Sequence, residues 1–92
     1  MERRKSERTN VSYEGTLTLD DTPFPCRVCD LSEIGAMLVF DKTNDDIPTY
    51  EDLEYEGYLS VTSSPNVIDR KKAMVVRFSE SDDELSLAIQ FF

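Results

Sequence analysis

The sequence predicts a small all-β protein, an antiparallel barrel or sandwich, from three observations. Its 92 residues suffice for one modest core. Its apolar residues recur mostly with period two, and turn-forming clusters separate the runs without the spacing that a strand–helix–strand unit needs. Val11, Tyr13, Gly15, Leu17 and Leu19 alternate with Ser12, Glu14, Thr16 and Thr18, which marks a half-buried first strand. Asp20-Asp21-Thr22-Pro23 supplies turn chemistry, and Phe24, Cys26 and Val28 then alternate with Pro25, Arg27 and Cys29, so an antiparallel hairpin follows. Pro23 and Pro25 place the start of that second strand at an edge. Ala36–Phe40 reads as a short strand covered on both faces, after a loop from Asp30 to Gly35.

Asp41 to Asp52 is polar, acidic and carries Pro48, which makes it a long irregular connection. Leu53, Tyr55, Gly57, Leu59 and Val61 alternate with Glu54, Glu56, Tyr58 and Ser60 and predict a further strand. Lys72–Phe78 is rich in β-branched residues, Ser79–Glu84 is a charged turn, and Leu85, Leu87, Ile89 and Phe91 alternate as the last strand of a closing hairpin. Six strands result, with no clear C-terminal helix. Residues 1–10 are expected to form a flexible basic arm and residues 11–92 a single domain.

The net charge is −9, with a residue balance of +2 in positions 1–10, −11 in 11–69 and 0 in 70–92. A surface this acidic disfavours nucleic-acid polymers and anionic bilayers, yet the clustered cations leave room for a small anion. Histidine is absent, which removes the usual general base near neutral pH and the commonest transition-metal ligand. No convergent acid–base set replaces it, so an enzyme is not expected. No apolar run approaches a membrane span, and Met1-Glu2-Arg3-Arg4-Lys5 leads into no secretory segment, so a cytoplasmic protein without membrane insertion is expected.

Cys26 and Cys29 have the spacing of a zinc or redox pair, but three residues apart on a strand their sulfurs point to opposite faces. Reduced structural thiols, with no metal and no cofactor, are the reading. Asn10-Val11-Ser12 matches a glycosylation acceptor only formally, and the carboxylates of residues 41–56 lack the spacing of a calcium loop and read as a solvated face. Tyr50, Tyr55 and Tyr58 lie in that acidic region as candidate partner contacts.

Two segments exceed what folding requires. Arg4-Lys5-Ser6-Glu7-Arg8, preceded by Arg3, places two arginines four apart just before the first strand. Asp30-Leu31-Ser32-Glu33-Ile34-Gly35 joins two apolar strands; by itself it reads as a turn, with Asp and Ser bonding local amides and Gly in a left-handed conformation. Together, about twenty residues apart across one hairpin, they resemble the PilZ domain family, whose signature is Arg-x-x-x-Arg followed by Asp or Asn-x-Ser-x-x-Gly. The resemblance covers nearly the whole chain and implies a six-stranded antiparallel β-barrel. Many members end in an amphipathic helix, and this sequence departs from them by stopping at Phe91-Phe92 on the last strand.

The resemblance further implies a bacterial receptor for the second messenger cyclic di-GMP. Arg4 and Arg8, with Arg3 as a further candidate, would bond phosphate or guanine edges and stack on purine faces, for which the planar guanidinium is suited. Asp30 would accept from guanine N1–H and N2–H, Ser32 would donate its hydroxyl, and Gly35 would let the backbone approach the ligand. In the family an extra arginine before the motif often accompanies an intercalated ligand dimer, which Arg3 makes the expected form. Arg27 and Arg77 are secondary candidates. The expected mechanism is ordering of the arm over the nucleotide, read by a downstream protein partner. The alternative is an interaction module that uses the acidic face and the tyrosines without nucleotide.

Overall fold

The structure, a computed structural model, describes residues 9–63 and 67–92. Its strands are β1 (Thr9–Leu19), β2 (Thr22–Leu31), β3 (Gly35–Asp41), β4 (Gly57–Val61), β5 (Ile68–Glu80) and β6 (Glu84–Phe91). All neighbours are antiparallel, and they close in the order β1-β2-β3-β6-β5-β4, with β4 returning to β1. The barrel alternative is therefore the one realised, with the six strands and the antiparallel pairing the periodicity predicts. Thr9 and Asn10, expected at the end of the arm, pair with Leu31 and Asp30.

Alternation decides the inside. Leu17, Leu19, Phe24, Val28, Leu38, Phe40, Leu59, Leu87 and Ile89 fill the core, and their sequence neighbours face outward. A closed barrel has only one interior, so β3 is covered on one face: Ala36, Leu38 and Phe40 are buried, whereas Met37 and Val39 stay half-exposed. The β1–β2 hairpin closes Leu19 on Thr22 through Asp20 and Asp21, at φ 50° and 65°. Two consecutive positive φ values match the right-handed twist of the strands, and Asp tolerates them. Thr22–Cys26 pairs with β1 alone, because the β3 ladder begins at Arg27↔Val39, so Pro23 and Pro25 leave no inter-strand amide missing on that side.

The strand expected from Leu53 begins only at Gly57. Leu53–Glu56 mimics alternation, but Leu53 N–H bonds the Thr49 and Tyr50 carbonyls in a 3₁₀ turn over Asp52–Glu54. Leu53 is buried and Tyr55 exposed, so period two fails there. A Cβ on Gly57 would stand 2.0 Å from Thr18 O, which marks where β4 presses on β1. β5 is longer than its β-branched run because its first part pairs with β4 and its second with β6.

Candidate functional site

The loop Asp30–Gly35 owes its presentation to a bulge. Val28 pairs with Leu38 and Asp30 with Met37, leaving Cys29 as the extra residue of β2. Simple alternation from the buried Val28 would turn Asp30 inward; the bulge instead puts it beside Asn10 and Met37 on the outer face, and Leu31 packs against the core. Cys29 Sγ donates to Met37 O at 3.7 Å, and Cys26 packs against the core with its thiol pushed up to about 12 by burial. Both cysteines are free thiols.

Beyond Leu31 the chain turns tightly. Ser32 N–H donates to Gly35 O at 2.9 Å, while Ser32 Oγ accepts from Ile34 N–H and donates to Gly35 O, both at 3.3 Å. The turn is tied to β6 by Phe91 N–H, which donates to Ile34 O at 2.8 Å. Gly35 is not left-handed: no described glycine has positive φ. Its lack of a side chain has another cause, since a Cβ there would meet Ile89 O at 2.3 Å. Close approach of β3 to β6 thus requires Gly35, which holds the turn in place. Ser32 can turn its proton from the long bond to Gly35 O toward an incoming acceptor and keep its lone pair on Ile34 N–H.

Arg3, Arg4 and Arg8 lie outside the described residues. The described chain enters β1 at Thr9, opposite Leu31, so Arg8 is one residue in sequence from a backbone paired to the end of the motif strand. Laterally, Asp30↔Met37↔Ala88↔Arg77 forms one outer-face row over β2, β3, β6 and β5. Three strand spacings make it about 14 Å long. Met37 and Ala88 floor the row, a role that sequence could not reveal because it depends on the β3–β6 register. Arg27 stands apart, exposed and 3.7 Å from Glu84. A cavity of about 570 Å³ opens over Glu14, Thr16 and Arg27, and Asp30, Ser32 and Gly35 do not line it.

The acidic connection between β3 and β4 is held differently. Asp41 accepts from Thr43 N–H at 2.9 Å and Thr43 Oγ1 at 2.8 Å, and these bonds hold its carboxyl below the usual range. Lys42 Nζ lies 2.8 Å from Glu80, which also accepts from the Tyr50 hydroxyl. Hydrogen bonding from Lys42, then Tyr50, lowers the Glu80 carboxyl, and bonding to Glu80 raises Lys42 and Tyr50. Tyr50 also stacks on Phe78, with centroids 5.4 Å apart.

A family model described as the PilZ domain matches residues 2–92. Among solved structures, the chain is similar to the Bacillus subtilis inhibitor of motility MotI/DgrA, with a TM-score of 0.69 and 12% identity over 99% of this chain and 43% of that one. It is also similar to Escherichia coli YcgR, solved in complex with c-di-GMP, with a TM-score of 0.68 and 18% identity over 98% of this chain and 38% of that one. At these identities the likeness shows the fold, and this chain spans less than half the length of either. No curated protein matches the sequence. The barrel, the outward-facing Asp30–Gly35 turn and a family match over residues 2–92 agree, and the chain belongs to the PilZ domain family.

Proposed function

We propose that this chain is a bacterial, cytoplasmic cyclic di-GMP receptor that binds the nucleotide without turning it over. The observation that carries the reading is the placement of Asp30 on the outer barrel face, in register with the entry of β1, directly after the Arg4–Arg8 segment. Family membership supports it, as does the YcgR structure with c-di-GMP bound. Asp30 takes the guanine N1–H and N2–H pair, which other common bases do not offer. Arg4 and Arg8, with Arg3, take phosphate and purine faces. Ser32 donates its hydroxyl, and Gly35 keeps the turn that carries Ser32 seated against β6.

Binding becomes a signal because the ligand supplies partners for the charges of the Arg3–Arg8 segment, which carries little apolar surface. The ordered arm and the adjacent barrel surface are then read by a protein partner. Arg3 favours an intercalated dimer as the bound form. The nucleotide-independent module has less support: Tyr50 is engaged by Phe78 and Glu80.

Calorimetric titration with cyclic di-GMP tests the proposal. Wild type should give saturable heat, and Arg8→Ala and Asp30→Ala should each weaken binding by about 10- to 100-fold, the scale of a charge-assisted bond. Absence of heat from folded wild type would refute it.

A further inference from the structure

Arg70, Lys71 and Lys72 are three consecutive cations in an otherwise acidic chain, and the barrel places them unusually. Among the described residues Arg27 and Lys42 lie against Glu84 and Glu80. In contrast, Arg70 lies over the Tyr58 ring at 4.4 Å and Lys71 over the Phe91 ring at 5.3 Å. Lys72 lies over the Phe92 ring at 5.4 Å and 3.5 Å from Glu56. An aromatic face orients a cation without cancelling its charge, as at Arg70, while Lys72 is both ring-held and shared with Glu56. Arg70 is further held at φ 57° with its N–H on Ser60 Oγ at 3.0 Å.

Register makes Tyr58, Arg70, Lys72 and Phe92 one outer surface, whereas Lys71 stands opposite the buried Leu59 and reaches the core residue Phe91 from the inner row. Tyr58 pairs with Lys72, and Phe92 N–H bonds Lys72 O at 3.1 Å, so Tyr58, Lys72 and Phe92 form a rung over β4, β5 and the end of β6. Apolar groups border it: Phe92 is 61% exposed, Met74 38% and Ile34 72%. Ile34 belongs to the Asp30–Gly35 turn and bonds Phe91, so the surface runs up to the candidate nucleotide site.

We infer that this outer face of β4, β5 and the end of β6 is a docking surface for a protein segment combining carboxylates with apolar side chains. Charge complementarity selects the occupant: Arg70 and Lys72 take the carboxylates, and Phe92 and Met74 take the apolar groups. A polyanion or an anionic bilayer meets the repulsion of the −9 chain over a wide area, whereas a short segment meets only this patch. The inference deepens the receptor reading and rests on it for what docking reports; docking itself stands separately.

The test is a nuclear magnetic resonance titration of the full ¹⁵N-labelled chain with a synthetic peptide alternating Glu and Leu. Its Lys–Leu counterpart, phosphatidylglycerol vesicles and a single-stranded oligonucleotide serve as comparison probes. The acidic peptide should shift amides of Ile34, Tyr58, Lys71–Met74 and Phe92. Lys72→Glu and Phe92→Ser should each weaken it about tenfold, and Lys72→Arg should retain it. Cyclic di-GMP binding and the thermal midpoint should remain those of wild type in all three variants, which separates lost docking from lost folding. No shift at these residues, or equal or stronger binding of a comparison probe there, would overturn the inference, as would Lys72-dependent self-association in sedimentation. Peptide binding without nucleotide binding would leave the docking surface standing and remove the receptor reading.

Discussion

The loops at the two ends of β3 solve the same problem by opposite means. Asp30–Gly35 is a tight turn held by backbone: Ser32 N–H on Gly35 O, Phe91 N–H on Ile34 O, and a glycine pressed against Ile89 O. The connection from Asp41 to Glu56 has local backbone bonds and leaves β3 with Lys42 N–H on Asp83 O, but its middle is fastened to the barrel by side chains, through Lys42 and Tyr50 on Glu80, Tyr50 on Phe78, and Leu53 in the core. A turn tied to the barrel through its backbone does not depend on its side chains for that attachment, whereas a loop fastened by side chains spends them on its own attachment and becomes sensitive to pH. The difference argues for placing recognition at the first loop.

Gly35→Val tests the backbone side of this contrast and should have the largest effect. The added Cβ meets a main-chain carbonyl that cannot rotate away, so urea denaturation should show a loss of about 3 kcal/mol or more. Nucleotide binding should fall with it. Leu53→Ala removes the buried anchor of the other loop and should cost about 2–3 kcal/mol by the same measurement. Its cyclic di-GMP affinity should stay unchanged; a parallel loss would erase the distinction between the loops.

Burial also sets the reactivity of Cys26. With its thiol pushed up to about 12 by burial, Cys26 should resist alkylation at neutral pH until the barrel opens, as mass spectrometry after iodoacetamide pulses would show. Above the ordinary thiol value of 9.0 the unfolded chain loses a proton that the folded chain keeps, so this group lowers stability as pH rises there.

The smallest effect belongs to Glu80. Because its folded carboxyl lies below the ordinary 4.5, its contribution is present above 4.5 and is lost as pH falls through the depressed value. Lys42 behaves in the opposite sense, its contribution being present below 10.5 and lost as pH rises through its raised value. The protection factor of the Leu53 amide, corrected for intrinsic exchange, should therefore fall in acid, while Ser32 and Phe91 amides keep theirs. The midpoint of global unfolding should barely follow the Glu80 tie, since the pair is partly solvent-screened.

Much of the fold is legible because alternation is a local property. Leu17 and Leu19 in β1, and Leu85 to Phe91 in β6, announce both strand and inner face. Leu53 and Tyr55 mislead because two residues of correct spacing cannot distinguish a strand from a short turn beside a glycine. The Cys29 bulge carries no compositional mark, yet it decides that Asp30 faces outward. The motif loop is legible as a pattern of residue types, but its anchoring to Ile89 and Phe91 is not, because that depends on a pairing between strands distant in sequence. The Tyr58–Lys72–Phe92 rung is hidden for the same reason.

The most direct measurement is the amide shift map of the full chain during titration with cyclic di-GMP. Saturable shifts centred on Asp30–Gly35 and the entry of β1, with residues 41–56 little changed, are the predicted result. No saturable shift, or shifts centred on residues 41–56, would contradict the assignment of the nucleotide to the backbone-held turn.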